Sequence, residues 1–324
     1  MKHPGLEPRT ARFLQALAGS KPLERLSPAA ARFVLAAAQK GAALPDAQVS
    51  VHSIELAGKP LRLHVVRPPG AEGTLPAFIY LHGGGWMLGD FPTHERLVRE
   101  LVVHSGAAAV FIEYSRSPEA KYGVALQEIH SAARWVQESG HEIGVDGNRL
   151  AIAGNSAGGN LAAAVALLAK EKGGLTLRAQ VLLWPATDAG FDTASYGEFS
   201  EGYFLTRSMM HWFWDHYAPD VEQRREIHAS PLQASLDQLE GLPPALIQTA
   251  EFDVLRDEAE AYGRKLSQAG VDVTTVRYQG MIHDFGLLNA LSALPASRAA
   301  LRQAAEMLKL HLTAEPVSTS GARE

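Results

Sequence analysis

At residues 154–158 the chain reads GNSAG, directly after the apolar run LAIAG (150–154) and directly before the helix-like run GGNLAAAVALLAK. On a sharp strand-to-helix turn the hydroxyl of Ser156 stands exposed at the edge of a sheet, and the flanking glycines let neighbouring backbone pass close. The helix that follows aims its first amides at the same spot. A serine hydroxyl is a weak nucleophile near neutral pH. It needs a base, and the base needs an acid to hold its tautomer.

In an open parallel sheet such partners lie on loops at the carboxyl ends of strands. Two downstream loops qualify: AEFDVLRDE (250–258) follows the strand-like ALIQTA (245–250), and GMIHDF (280–285) follows VDVTTVRY (271–278). The first offers Asp253 and Asp257, the second His283. Of thirteen histidines, His283 alone follows the last strand on a short turn. Asp253 stands nearest its strand end and is the expected acid. Asp257 is expected to pair with Arg256 or cap a helix, and Asp188, after the sixth strand, is the weaker substitute. The order Ser, Asp, His suits this type of sheet.

Attack on an ester carbonyl creates an alkoxide, and fixed amide donors aimed at it are commonly the largest catalytic contribution. LHGGGWMLGD (81–90) follows the third strand on the same edge as Ser156. Gly83 and Gly84 are the expected donors, with the amide of Ala157 as the third. His82 is expected to brace this loop from behind, and Gly85 to make room for Trp86.

Positioning these residues requires a sheet. Strand-like runs at 50–56, 61–66, 77–82, 108–114, 150–154, 181–186, 245–250 and 271–278 alternate from the third onward with helical patterns near 93–105, 124–139, 158–171, 256–269 and 296–312. That predicts an α/β fold, an eight-stranded mostly parallel sheet covered on both faces. Two more helices, at 8–18 and 28–40, precede the first strand. Residues 187–244 interrupt the alternation and carry the aromatic run YFLTRSMMHWFWDHY (203–217); a connection of that length has structure and purpose of its own. The expected organisation is N-terminal cap helices at 1–48, a catalytic domain at 49–186 and 229–312, a cap insertion at 187–228, and a disordered tail at 313–324. Trp86, Asn155, Phe204, Met209 and Phe213 are the expected pocket residues.

Composition narrows the partners. The chain has 324 residues, 46% apolar and 20% charged, with a net charge of -5 and no basic blocks. Neither a nucleic-acid face nor a polybasic membrane anchor is suggested. The absence of cysteine excludes disulfides, thiol nucleophiles and Cys-ligated zinc. No signal peptide or membrane-spanning run is evident, so a soluble cytoplasmic protein acting on a small molecule is expected. No metal site is expected: His211 and His216, five apart, do not share a helical face, and no HExxH occurs. The exposed edge of the eighth strand would allow a homodimer.

These residues resemble the hormone-sensitive lipase family of α/β-hydrolases, with its bacterial family IV carboxylesterases. The resemblance runs from about residue 76 to 290, through HGGGW, EYSRSPEAKY, GVDGNRLAIAGNSAGGNLA, ASPL (229–232), GLPPALIQTAEFDVLRDEAEAY and GMIHDF. It implies an α/β-hydrolase fold with a helical cap, a Ser156, Asp253, His283 triad, an oxyanion hole from Gly83, Gly84 and Ala157, and cofactor-free hydrolysis of esters with short to medium acyl chains. Two departures stand out. Asn155 replaces the usual aspartate of GDSAGG, removing a carboxylate beside the serine, and the usual YRLAPE appears as YSRSPE (114–119), which shifts or loses the contacts of its arginine. The same machinery serves amide, lactone and carbonate hydrolysis, which stay open here. Small-molecule receptors of this family lack the catalytic histidine, and His283 argues against that reading.

Overall fold

The computed structural model describes residues 5–313. Eight strands form one sheet: β1 (Gln48–Leu56), β2 (Lys59–Arg67), β3 (Leu75–Leu81), β4 (Ala108–Ile112), β5 (Val145–Asn155), β6 (Gln180–Leu183), β7 (Ala245–Phe252) and β8 (Val273–Ile282). Their spatial order is β1-β2-β4-β3-β5-β6-β7-β8. β2 pairs antiparallel with β1 and β4, and every other pairing is parallel. The expected α/β-hydrolase sheet is therefore present, with β3, β5, β7 and β8 delivering their carboxyl ends to one edge.

Helices α1 (Pro8–Leu17) and α2 (Pro28–Ala38) precede the sheet, and α3 (Phe91–Ser105), α4 (Val124–Ser139) and α5 (Ala157–Lys172) link the central strands. The connection from β6 to β7 carries α6 (Ala194–Glu198), α7 (Arg207–Tyr217), α8 (Val221–Arg224) and α9 (Leu236–Leu239). α10 (Arg256–Gln268) joins β7 to β8, and α11 (Pro295–Thr313) follows. The expected disordered tail lies outside the described residues, apart from Thr313. None of the described helices is long and apolar enough to cross a membrane.

Where the pattern was uninterrupted, sequence and structure agree closely. The central strands are apolar because both faces are covered: β4 and the carboxyl half of β5 are fully buried. α5 is buried from Ala157 to Ala169, and its Leu161, Val165 and Leu168 each contribute about 1.5–3 kcal/mol of burial. Its small residues let it lie close to the sheet. β8 runs four residues beyond its expected end at 278, through a register shift opposite Ala250 and Phe252. Gly280, at φ +74°, takes up the irregularity: its amide donates to Glu251 Oε2 and its carbonyl accepts from Glu7 N. His283 is consequently the first residue past the strand.

The two segments expected to form the cap meet each other. Ser208 of α7 donates to Glu24 at 2.7 Å, and Phe204 lies 6.0 Å from Phe13 of α1, ring centre to ring centre.

Candidate active site

Ser156 sits between β5 and α5 at φ 53°, ψ −122°, a conformation that costs a non-glycine residue on the order of 1–3 kcal/mol. The surrounding structure holds it there. Ser156 N donates to Leu183 O at 2.9 Å, and its carbonyl accepts from Asn160 N and Ala186 N. The two glycines of GNSAG are required sterically: a β-carbon on Gly154 would stand 2.2 Å from Gly158 O, and one on Gly158 would stand 2.0 Å from Leu81 O. The second clash also shows how tightly the elbow abuts the end of β3, where the glycine-rich loop begins.

The sheet brings three of the expected residues together. His283 Nε2 lies 2.8 Å from Ser156 Oγ, and His283 Nδ1 lies 2.7 Å from Asp253 Oδ2. Asp253 Oδ1 accepts from Leu255 N at 3.0 Å, fixing the carboxylate. Ser156, Asp253 and His283 are 7%, 2% and 2% exposed. Burial alone would lower the histidine's pKa; the charges of Asp253 and Asp284 outweigh it and raise the pKa above its ordinary 6.5. The other acids serve elsewhere. Asp257 pairs with Arg256 at 2.8 Å and accepts from Ser195 N, while Asp188 accepts from Gln233.

Asp284 is a site residue that motif reasoning missed. Its Oδ2 lies 3.9 Å from His283 Nε2, and its Oδ1 accepts from Trp184 Nε1 at 2.6 Å and Asn155 Nδ2 at 3.0 Å. A carboxylate supplied from the turn after β8 thus stands beside the His283 ring and against Asn155. A sequence signal existed: an aspartate next to the base and an asparagine where the family has an acid.

Asn155 corrects a second expectation. Its Oδ1 accepts from Tyr80 OH at 2.9 Å and Gly83 N at 3.0 Å, while Nδ2 is committed to Asp284. With no exposed surface, the side chain is a buried bracket rather than pocket lining. His94 Nε2 also accepts from Gly83 N, at 3.2 Å. Burial holds His94 down, at about 4, so it is neutral and has that lone pair to offer. The amide of Gly83 therefore faces the protein interior, and its assignment as an oxyanion donor fails.

The next two amides are different. Among the described residues neither Gly84 N nor Gly85 N has a hydrogen-bond partner, whereas Gly84 O accepts from Met87 N and Leu88 N. Ala157 N opens α5, where helix amides lack intrahelical acceptors. His82 stacks on Tyr114 with centroids 4.3 Å apart, and its Nδ1 donates to Gly83 O at 2.9 Å. Burial, reinforced by His94, holds His82 well below the usual histidine range. It braces the loop as expected.

Trp86 turns away from the expected pocket. It is 1% exposed, stacks on Tyr217 at 4.4 Å and donates to Asn160 Oδ1. That anchors the loop to α7. Gly85 makes room for Phe213 instead: a β-carbon there would stand 2.2 Å from the Phe213 ring. Met209 is buried, and Phe204 half-buried against α1.

His211 packs on Phe191 at 3.8 Å, and His216 bonds to Trp212 O. No cluster of three or more His, Asp or Glu suited to a metal occurs among the described residues.

The sheet order, the strained serine and the aligned histidine define an α/β-hydrolase. The chain belongs to that family: the model of the α/β hydrolase fold matches residues 78–287. It falls in the hormone-sensitive lipase type of branch, among the carboxylic ester hydrolases. A thermostable esterase from Pseudomonas putida is 58% identical over 97% of this chain and all of that one, with a TM-score of 0.95. Carboxylesterase NlhH of Mycobacterium tuberculosis is 35% identical over 84% of this chain and 85% of that protein. An ethyl acetate hydrolase of Pseudomonas putida is 33% identical over 79% and 80%.

Proposed function

We propose that the chain is a serine carboxylesterase hydrolysing small acyl esters through an acyl-enzyme, with Ser156 as nucleophile, His283 as general base and acid, and Asp253 as the orienting acid. The unbroken hydrogen-bonded line from Asp253 through His283 to Ser156 Oγ carries this reading. His283 takes the hydroxyl proton as Ser156 attacks the carbonyl, and returns it to the departing alcohol. A water activated by the same imidazole then releases the acid.

The oxyanion is held by the amides of Gly84, Gly85 and Ala157. Removing one such donor typically costs on the order of 10²–10³ in kcat. The N-terminal helices and the β6–β7 insertion act as the cap, with Phe213 over the oxyanion loop as one wall of the acyl pocket; Met209 and Phe204 lie farther along it. Small esters are favoured because Ser156 is only 7% exposed, in keeping with the ethyl acetate hydrolase among the relatives. The proposed setting is the cytoplasm, where two copies can pair along β8, the end strand of the sheet.

Initial rates on p-nitrophenyl esters from acetate to palmitate test the reading. A maximum at acetate to hexanoate supports it, and a preference for palmitate contradicts the small-ester assignment.

A further inference from the structure

The proposed oxyanion loop has a front, where the Gly84 and Gly85 amides stand bare, and a back where three carbonyls are held from other parts of the chain. Trp86 O accepts from Ser117 N at 2.9 Å, Met87 O from Arg32 Nε at 2.8 Å, and Gly89 O from a guanidinium N–H of Arg116. Arg32 belongs to α2, far from the loop in sequence. Its guanidinium also donates to Ser117 O at 2.8 Å and to both oxygens of Glu119 at 2.8 and 2.7 Å. One side chain thus ties an N-terminal helix to the loop and to the YSRSPE segment.

The ties reach the site through rigid peptide planes. In a trans peptide the C=O and N–H point in opposite directions, so holding one aims the other. Arg32 holds Met87 O; the same plane's N–H, on Leu88, donates to Gly84 O at 2.8 Å. Gly84 O in turn shares a plane with the N–H of Gly85. Two planes therefore connect the guanidinium to a proposed oxyanion donor. The parallel plane, Trp86 O to Met87 N, is held by Ser117 N and also ends on Gly84 O, and Arg32 holds Ser117 from its other side.

We propose that Arg32 is a positioning residue for the oxyanion hole, making the docking of α2 a condition for the Gly85 amide to face Ser156. This rests on the oxyanion assignment above. The two bonds to the backbone carbonyls do the positioning. The Glu119 side chain is 65% exposed, so its ion pair is screened and contributes little.

The test measures kcat, KM, thermal stability and the affinity of an alkyl trifluoromethyl ketone, whose serine hemiketal carries the oxyanion. Arg32→Ala should lower kcat by about tenfold to a hundredfold with KM nearly unchanged, and weaken the ketone by a similar factor. Arg32→Lys, able to reach only one of the carbonyls, should fall between, and should do so even where the alanine variant folds poorly. Glu119→Gln should stay within about threefold of the parent. A polar cavity of 480 Å³ lined by Arg32, Arg62, Glu113, Arg116 and Glu119 opens behind the loop, so ethylguanidinium should restore part of the Arg32→Ala activity and leave the parent unaffected. Unchanged kcat and ketone affinity in folded Arg32→Ala overturn the inference. A parent enzyme that forms no hemiketal, or Ser156→Ala that keeps its activity, overturns the oxyanion and triad reading instead.

Discussion

Two buried aspartates flank one imidazole, and they do different things. Asp253 meets His283 at Nδ1, 2.7 Å away, and spends its other oxygen on one backbone amide. Asp284 stands 3.9 Å from Nε2 through Oδ2, and its Oδ1 accepts from Trp184 and Asn155. The first fixes the tautomer that leaves Nε2 free to take a proton. The second cannot do so from that edge of the ring; it adds negative charge near the imidazolium and ties the base loop to the nucleophile elbow. Role follows from the ring edge a carboxylate faces and from what else it must hold.

Breaking the first contact should have the largest effect. Asp253→Asn keeps the shape but offers His283 an amide, which admits the wrong tautomer; kcat should fall by on the order of 10⁴ with little change in KM. A variant within tenfold of the parent would mean that Asp284 or Asp257 can orient the base. Stopped-flow assays on p-nitrophenyl butyrate decide between these outcomes.

Asn155→Asp should come next. It replaces the Nδ2 donor facing Asp284 with a second carboxylate, and two buried like charges at that separation cannot both ionise without cost. Thermal or urea unfolding near neutral pH should show a loss of about 1–3 kcal/mol. Adding Asp284→Asn restores one donor facing one acceptor, so the double variant should recover most of that loss. Simple additivity of the two changes would show that the pair is not coupled.

The smallest effect is a shift. Nearby carboxylates raise the pKa of His283, and the base must be neutral to act, so kcat/KM of the parent should fall on the acid side below a pKa above 6.5. Asp284→Asn removes one of the raising charges while leaving Asp253 in place. The acid limb should move to lower pH, with the plateau little altered. A limb that stays put assigns Asp284 to structure alone.

The triad could be proposed from the sequence because Ser156, Asp253 and His283 obey a rule of topology: each follows a strand whose carboxyl end reaches the same edge. Their network could not be. Asn155 and Asp284 are 129 residues apart, and nothing local to either indicates that one holds the other. The same blindness put Gly83 among the expected oxyanion donors. Three consecutive glycines look alike in a sequence, and only the acceptors on Asn155 and His94, which claim the amide of Gly83, show which of them faces inward. Trp86 was misplaced for a similar reason: its partners Tyr217 and Asn160 come from α7 and α5. The eighth strand was read short because Gln279 and Gly280 break the apolar pattern, although pairing resumes at Phe252 and Ile282.

The most direct measurement is covalent. Incubating the protein with diethyl p-nitrophenyl phosphate and mapping the product by mass spectrometry should find one diethylphosphoryl group, on Ser156, with activity lost in step with labelling and no label on Ser156→Ala. Label on another residue, or full activity after complete labelling of Ser156, would contradict the assignment.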